Sequence, residues 1–284
     1  MTEHIPTADR PVGTTDGSKA FAGTLVAIVS AGTSGVTIDT LSQLSLSAVR
    51  TVLISLGDRP DAAPREEGGA IIIEDLLPRY LNNAIAYARL SSLPTAAWWR
   101  AGDPGMLPEV AALVDRLLID VEDPSPCWPY VPEASRLTSV SELRWARLTR
   151  WRDLFAQFFD MPEIASSPGG WTRVETVAGD PYDARLMAGW FRSRLPGGDR
   201  IQVTQRPGTA SLDAVTLEGP EGALEVRLAA NRRCLQTMVR LDGRTETRIV
   251  PLGDQRLAAL LSEELRVRSR DRAYEDAVRE AERI

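Results

Sequence analysis

One stretch constrains the fold of this chain more than any other. Thr24-Leu-Val-Ala-Ile-Val29 is a short, apolar, β-rich run, followed by the turn Ala31-Gly-Thr-Ser-Gly35, a helix-like stretch reaching about Ala48, and a second run, Thr51-Val-Leu-Ile-Ser-Leu56. Runs this short and this apolar are strands covered on both faces, and strand, glycine turn, helix, strand is the order of a βαβ unit. It demands a parallel sheet, because a helical crossover returns the chain to the same edge direction.

The pattern continues. Ala70-Ile-Ile-Ile73 predicts a third strand, after which Asp75 is expected to open a helix with Pro78 in its first turn, where a missing N–H costs nothing. Leu77, Leu81, Ile85 and Ala88, joined by Tyr80 and Ala84, recur at spacings of three and four and make an apolar stripe. Ser91 and Pro94 end that helix, and Thr95-Ala-Ala-Trp-Trp99 reads as a fourth strand. A helix over residues 107–116 and the strand Leu117-Leu-Ile-Asp120 complete an α/β domain. Pro124, Pro126, Pro129 and Pro132 then crowd residues 123–133, which reads as a rigid linker or crossing loop between domains.

Beyond it the order of elements changes. Thr149 is placed to cap a helix carrying Leu148, Trp151, Phe155 and Phe158 on one face, and a second helix spans residues 182–194. Strands follow without intervening helices, at 200–205, 214–217, 223–229, 235–241 and 246–251. Asp242-Gly243 is a strong type I′ hairpin signal, and Pro220-Glu-Gly222 marks another turn, so an antiparallel meander is expected. Leu257, Leu260, Leu261 and Leu265 share one face of a closing helix. The expected organisation is a flexible tail over residues 1–20, an α/β domain over 21–142 (mostly parallel sheet with flanking helices) ending in the proline-rich linker, and an α+β domain over 143–284 with the meander.

Composition limits the chemistry. The 284 residues include one histidine, His4, and one lysine, Lys19, both in the tail; the other 32 basic residues are arginine. Ser-His and Cys-His nucleophile pairs, His-based zinc sites, a P-loop lysine and a Schiff-base lysine are therefore not expected, and no cofactor is called for. A net charge of -6 argues against nucleic acid as a main partner. The charge is uneven: residues 1–142 carry 18 acids against 10 bases, and residues 143–284 carry 21 against 23. No run of about 18 apolar residues occurs, so no membrane span is expected, and the polar first 19 residues lack a secretory h-region, which predicts a cytoplasmic address. Cys127 and Cys234 read as reduced, partly buried thiols or as a redox-responsive pair.

Each candidate site has two readings. Gly32-Thr-Ser-Gly35 sits where α/β folds bind phosphate, with Asp58 the nearest acid to grip a ribose, but it also serves as a plain turn. Asp120, Glu122 and Asp123 lie at the carboxyl end of a strand, as metal or acid–base carboxylates or as a solvated turn. The adjacent Asn82 and Asn83, disfavoured inside a helix, need polar partners, internal or external. Trp98-Trp99-Arg100 and Trp145-Ala-Arg-Leu-Thr-Arg-Trp-Arg152 combine indoles with guanidinium groups, the side chains enriched at protein–protein hot spots, yet Trp98 and Trp151 are equally suited to a core.

The run Leu77-Pro-Arg-Tyr-Leu-Asn-Asn-Ala-Ile-Ala-Tyr-Ala-Arg-Leu-Ser-Ser-Leu-Pro-Thr-Ala-Ala-Trp-Trp-Arg100 resembles the central segment of the OpcA family. Trp145-Ala-Arg-Leu-Thr-Arg-Trp-Arg-Asp153 resembles a second signature of that family, and Glu263-Glu-Leu-Arg266 and Tyr274-Glu-Asp-Ala277 continue the likeness. The resemblance implies a non-catalytic assembly factor and allosteric activator of glucose-6-phosphate dehydrogenase, with Arg79, Asn82, Asn83, Trp99, Arg100, Trp145, Arg147 and Arg150 as the expected partner-binding residues. The alternative is an α/β module that binds a nucleotide or a sugar phosphate.

Overall fold

The computed structural model describes residues 21–32, 34–44, 49–60, 62–90, 92–165, 170–267 and 269–284. The expected tail with His4 and Lys19, Thr33 of the first turn, the end of the first helix at 45–48, and Ser91 lie outside the described residues. Two compact units make up the chain. Among the described residues, one joins 21–146 to Arg256–Asp271; the other joins Arg147–Gln255 to Arg272–Ile284.

The first unit is built on a seven-stranded sheet. Its strands are β1 (Gly23–Ser30), β2 (Val49–Arg59), β3 (Arg65–Glu67), β4 (Ala70–Leu76), β5 (Thr95–Trp99), β6 (Arg116–Ile119) and β7 (Ser139–Glu142), in the spatial order β3-β4-β2-β1-β5-β6-β7. All neighbours are parallel except the short hairpin of β3 with β4, whose Gly68-Gly69 turn has positive φ at both residues. Helices α1 (Ser34–Gln43), α2 (Leu81–Ala88), α3 (Leu107–Ala111), α4 (Val131–Leu137) and α5 (Leu143–Arg147) connect or follow the strands. The strand order runs outward from β1 in one direction and then restarts at β5 in the other. Right-handed crossovers then place helices on opposite faces of the sheet.

That topology explains why neighbouring tryptophans are both buried. Trp98 joins Leu25, Ala27, Val29, Leu53, Leu118 and Leu143 in the core on one face. Trp99, one residue on, points the other way. Its register partners Ile28 and Ile119 are buried as well.

Several sequence expectations need correction here. Asp75 does not open a helix: it lies within β4 at φ 60, its N–H donates to the Ser55 hydroxyl, and the β2–β4 register shifts beside it. The helical turn starts further on, at Pro78–Tyr80. Helix α3 is short, and Arg116 is the first residue of β6 rather than the end of a helix. Residues 123–133 are no inter-domain linker. They contain the turn Trp128–Tyr130 and the start of α4, and lead into β7, the edge strand of the same sheet, which was not expected. Each proline at the first or second helical position is tolerated there, because that N–H has no intrahelical partner.

The second unit starts with α6 (Thr149–Phe159) and α7 (Pro162–Ala165). Thr149 is the first helical residue rather than the cap, and its hydroxyl accepts from Arg152. The buried face of α6 holds Trp151, Leu154, Phe155 and Phe158. Next comes β8 (Arg173–Ala178), also unexpected, and α8 (Pro181–Arg194), capped by the Asp180 carboxylate on the Tyr182 N–H. Strands β9 (Gln202–Pro207), β10 (Ala214–Gly219), β11 (Gly222–Leu228), β12 (Cys234–Leu241) and β13 (Arg244–Pro251) complete a six-stranded sheet ordered β13-β12-β11-β10-β8-β9. The meander from β10 to β13 is antiparallel; β9 is parallel to β8, with α8 as the crossover. Asp242 and Gly243 have φ 48 and 73, as a type I′ hairpin requires.

The last helices divide between the units. Helix α9 (Leu257–Arg266) belongs to the first, where Leu261 and Leu265 close the core around Trp98. Helix α10 (Arg272–Ala281) packs on α8 in the second, with Gly189 giving the room; a Cβ there would run into the Ala277 carbonyl.

Candidate functional site

The strand order reverses between β1 and β5, and the carboxyl ends flanking that reversal are where open α/β sheets place ligands. Arg100 follows β5 and Asp120 follows β6, and the backbone ties both to the sheet: the Arg100 N–H donates to the Ile28 carbonyl and the Asp120 N–H to that of Trp99. Their side chains meet. Arg100 Nε donates to Asp120 Oδ2 at 3.0 Å, and Arg100 Nη1 donates to the Thr37 hydroxyl at 2.7 Å. The guanidinium lies 4.9 Å from the Trp98 ring centroid, and the Trp98 indole N–H donates to the same Asp120 oxygen at 3.1 Å. These groups therefore satisfy one another across α1, β5 and β6. Asp123 instead closes a local turn by accepting from the N–H and hydroxyl of Ser125, and the Glu122 carbonyl accepts from Arg144. The three carboxylates do not form one cluster with a common focus. A cavity of about 340 Å³, lined by Phe21, Thr95, Asp115, Arg116 and Leu265, opens at the amino ends of β5 and β6, opposite the ends that carry Arg100 and Asp120.

Placement of the other expected residues separates anchors from core. Trp99 and Trp145 are fully buried, so neither offers surface to a partner, and the expectation that they supply docking anchors is corrected. The Trp99 ring lies against Gly102, and the Trp145 indole N–H donates to Asp271 Oδ2 at 2.7 Å. Arg79 is exposed, its guanidinium 4.9 Å from the Tyr80 ring centroid. Asn82 donates to Glu109 at 2.6 Å, an internal role joining α2 to α3, while Asn83 is exposed. In the second unit, Arg147 approaches the buried Asp183 at 3.9 Å, and Arg150 donates to the Pro251 carbonyl at the end of β13.

The accessible large side chains of the 77–100 run were missed. Tyr87, Leu90 and Leu93 are exposed, Tyr87 by 62%. Tyr87 lies outside the buried face of α2, formed by Leu81, Ala84, Ile85 and Ala88. Helical spacing from Leu81 was the available signal: Tyr87, two positions past Ile85 and one short of Ala88, falls off the stripe.

Cys127 is buried beside Glu142, whose carboxylate accepts from the Trp128 indole at 3.1 Å. Burial first, then the negative charges of Glu142 and Asp123, push its pKa up to about 12 from an ordinary 9.0. Because folding raises this pKa, its contribution to stability is complete below pH 9.0 and is lost as pH climbs towards about 12. Cys234, half-buried on β12, sits in the other unit. In native protein at mildly alkaline pH, a thiol-alkylating reagent is expected to modify Cys234 and to spare Cys127 until denaturant is added. Equal labelling of both, read by peptide mass spectrometry, would contradict this burial.

Residues 138–278 match the family described as the carboxy-terminal domain of a glucose-6-phosphate dehydrogenase subunit. Two curated relatives carry the name putative OxPP cycle protein OpcA. The one from Synechocystis sp. is 24% identical over 165 residues, which cover 55% of this chain and 34% of the relative. The one from Nostoc punctiforme is 29% identical over 120 residues, 37% of this chain and 25% of the relative. The aligned parts thus span about a third or less of the curated relatives' length. Among solved structures, a Gfo/Idh/MocA family oxidoreductase from Vibrio cholerae superposes over 91% of this chain and 94% of its own, at 12% identity and a TM-score of 0.46. None of the described helices is long and apolar enough to cross a membrane.

Proposed function

Because the chain belongs to the OpcA family, we propose that it serves the oxidative pentose phosphate pathway as a non-catalytic partner that binds and activates glucose-6-phosphate dehydrogenase. The observation that carries the reading is the division of the 77–100 run into a buried half and an accessible one. Trp98 and Trp99 build the sheet, whereas Tyr87, Leu90 and Leu93 present apolar surface beside the exposed Arg79, Asn83 and Arg89. Large apolar groups next to planar cations are what a protein interface uses for area and for carboxylate pairing. The composition agrees with a binding role: residues 21–284 contain neither histidine nor lysine. At the carboxyl ends of the parallel sheet, Arg100, Asp120 and Trp98 bond to one another.

The test titrates this chain into glucose-6-phosphate dehydrogenase, measuring binding and initial rate together. Tyr87→Ala is expected to weaken binding by about 2 kcal/mol, roughly thirtyfold. Its melting temperature should stay at the parent's, because an exposed side chain contributes little to packing. A parent chain that neither binds the dehydrogenase nor changes its rate would overturn the proposal. A melting temperature raised by NADP or a sugar phosphate would move the assignment to the small-ligand alternative.

A further inference from the structure

The edge of the second unit's sheet carries a device that its intramolecular contacts do not use. Strand β13 ends the strand order, and every residue of it but Val250 is exposed. Ile249, 69% exposed, is the one large hydrophobic side chain left exposed among the described residues of that unit. The Pro251 carbonyl accepts from Arg150, but from Arg244 to Val250 no described strand pairs with the outer side of β13, and a free edge of this kind is a template for another strand.

Hairpin geometry says which groups these are. The two-residue loop Asp242-Gly243 makes Leu241 and Arg244 a hydrogen-bonded closing pair, and the register then runs without a shift to Cys234 opposite Pro251. Arg244, Glu246, Arg248 and Val250 therefore turn their N–H and C=O groups inward to β12. Thr245, Thr247 and Ile249 turn theirs outward. Pro251 falls on the outward set, where its missing N–H removes nothing from the ladder.

We infer that β13 pairs antiparallel with β13 of a second copy of this chain, about a two-fold axis at Thr247, to join two six-stranded sheets into one. Charge selects this occupant and this register. With Thr247 opposite its own copy, Thr245 faces Ile249 twice and Glu246 faces Arg248 twice, opposite charges on one side and an apolar contact on the other. Pairing then runs from Arg244 to Val250 on each strand. A shift of the axis to Glu246 would set Glu246 against itself and Arg244 against Arg248, both repulsive. A shift to Thr245 would push pairing into the Asp242-Gly243 turn, whose left-handed backbone does not continue a strand. The Glu246–Arg248 pair within each strand, 3.7 Å apart, already lines both charges along one face.

Sedimentation of the full chain across a wide concentration range tests this. The parent is expected to shift from monomer to dimer as concentration rises. Thr247→Pro deletes an outward N–H at the centre, leaves the β12 ladder intact, and should keep the chain monomeric with the parent's circular dichroism. Arg248→Glu and Glu246→Arg each create two like-charge pairs and should loosen the dimer by roughly tenfold. The double variant Glu246→Arg with Arg248→Glu restores both pairs in this register and should recover dimerisation. A parent that stays monomeric at millimolar concentration, a Thr247→Pro chain that dimerises like the parent, or a double variant no better than the singles would overturn the inference.

Discussion

Replacing Trp145 with alanine is expected to remove about 3–5 kcal/mol of stability, the range for deleting a fully buried tryptophan. The side chain is fully buried on α5, and its indole N–H reaches Asp271, 126 positions away, at 2.7 Å. Truncation opens a cavity and strips Asp271 of a donor, so melting of the first unit should fall by roughly 10 °C. Trp99→Ala should behave alike, since that ring is fully buried and lies against Gly102. Trp145→Phe separates the two terms: most of the volume stays, the hydrogen bond goes, and the loss should shrink to about 1–2 kcal/mol. Melting temperature and the proposed dehydrogenase binding must be read together. A Trp145→Ala chain that melts like the parent yet no longer binds the enzyme would return this indole to the interface and sink its assignment to the core.

Glu264→Ala should cost a comparable amount, about 3–5 kcal/mol, for an electrostatic reason. Arg116, the first residue of β6, has a side chain only 5% exposed, and it pairs with Glu264 of α9, itself 13% exposed. Arg116 also donates to the Ser139 hydroxyl at 2.8 Å, and that hydroxyl donates on to the Ser269 carbonyl. Without Glu264 the guanidinium stays buried with a neutral hydroxyl as its partner, and the desolvation cost is no longer offset. The double replacement Arg116→Met with Glu264→Leu removes both charges and should recover most of the loss, since buried pairs are often matched by apolar residues of similar volume. Chemical denaturation of the parent, of Arg116→Met and Glu264→Leu singly, and of the double variant forms the cycle. A Glu264→Ala chain as stable as the parent would show that α9 is not anchored to β6 through this pair.

Both residues depend on α9 returning to the first unit, a point the sequence leaves open. Leu257, Leu260, Leu261 and Leu265 show that the helix has an apolar face, and the structure buries the last three. Periodicity states that a face must be covered but not which sheet covers it, and nearness in sequence pointed to the meander. The same reason hid β7. Four residues, Ser-Val-Ser-Glu, carry no strand signal of their own, and they are held as a strand by the β6 edge beside them. The prolines before them read as a linker, because fixed φ angles suit a spacer and a helix start equally.

What the residues determined alone were the features decided by neighbours in sequence. The apolar runs at β1, β2 and β5 had to be buried strands, and their alternation with helices had to give a parallel sheet. Asp242-Gly243 had to make a tight hairpin, because both positions need positive φ. The near absence of histidine and lysine removed whole classes of chemistry. Tertiary structure alone decided that Trp99 and Trp145 are inaccessible. Trp99 and Trp145 have the chemistry of interface anchors, yet helices packed on both faces of the sheet and Asp271 from a distant segment bury them, while Tyr87, Leu90 and Leu93 stay outside. Burial is a property of what lies opposite a residue across the fold, and that is set by contacts far apart in the chain rather than by local pattern.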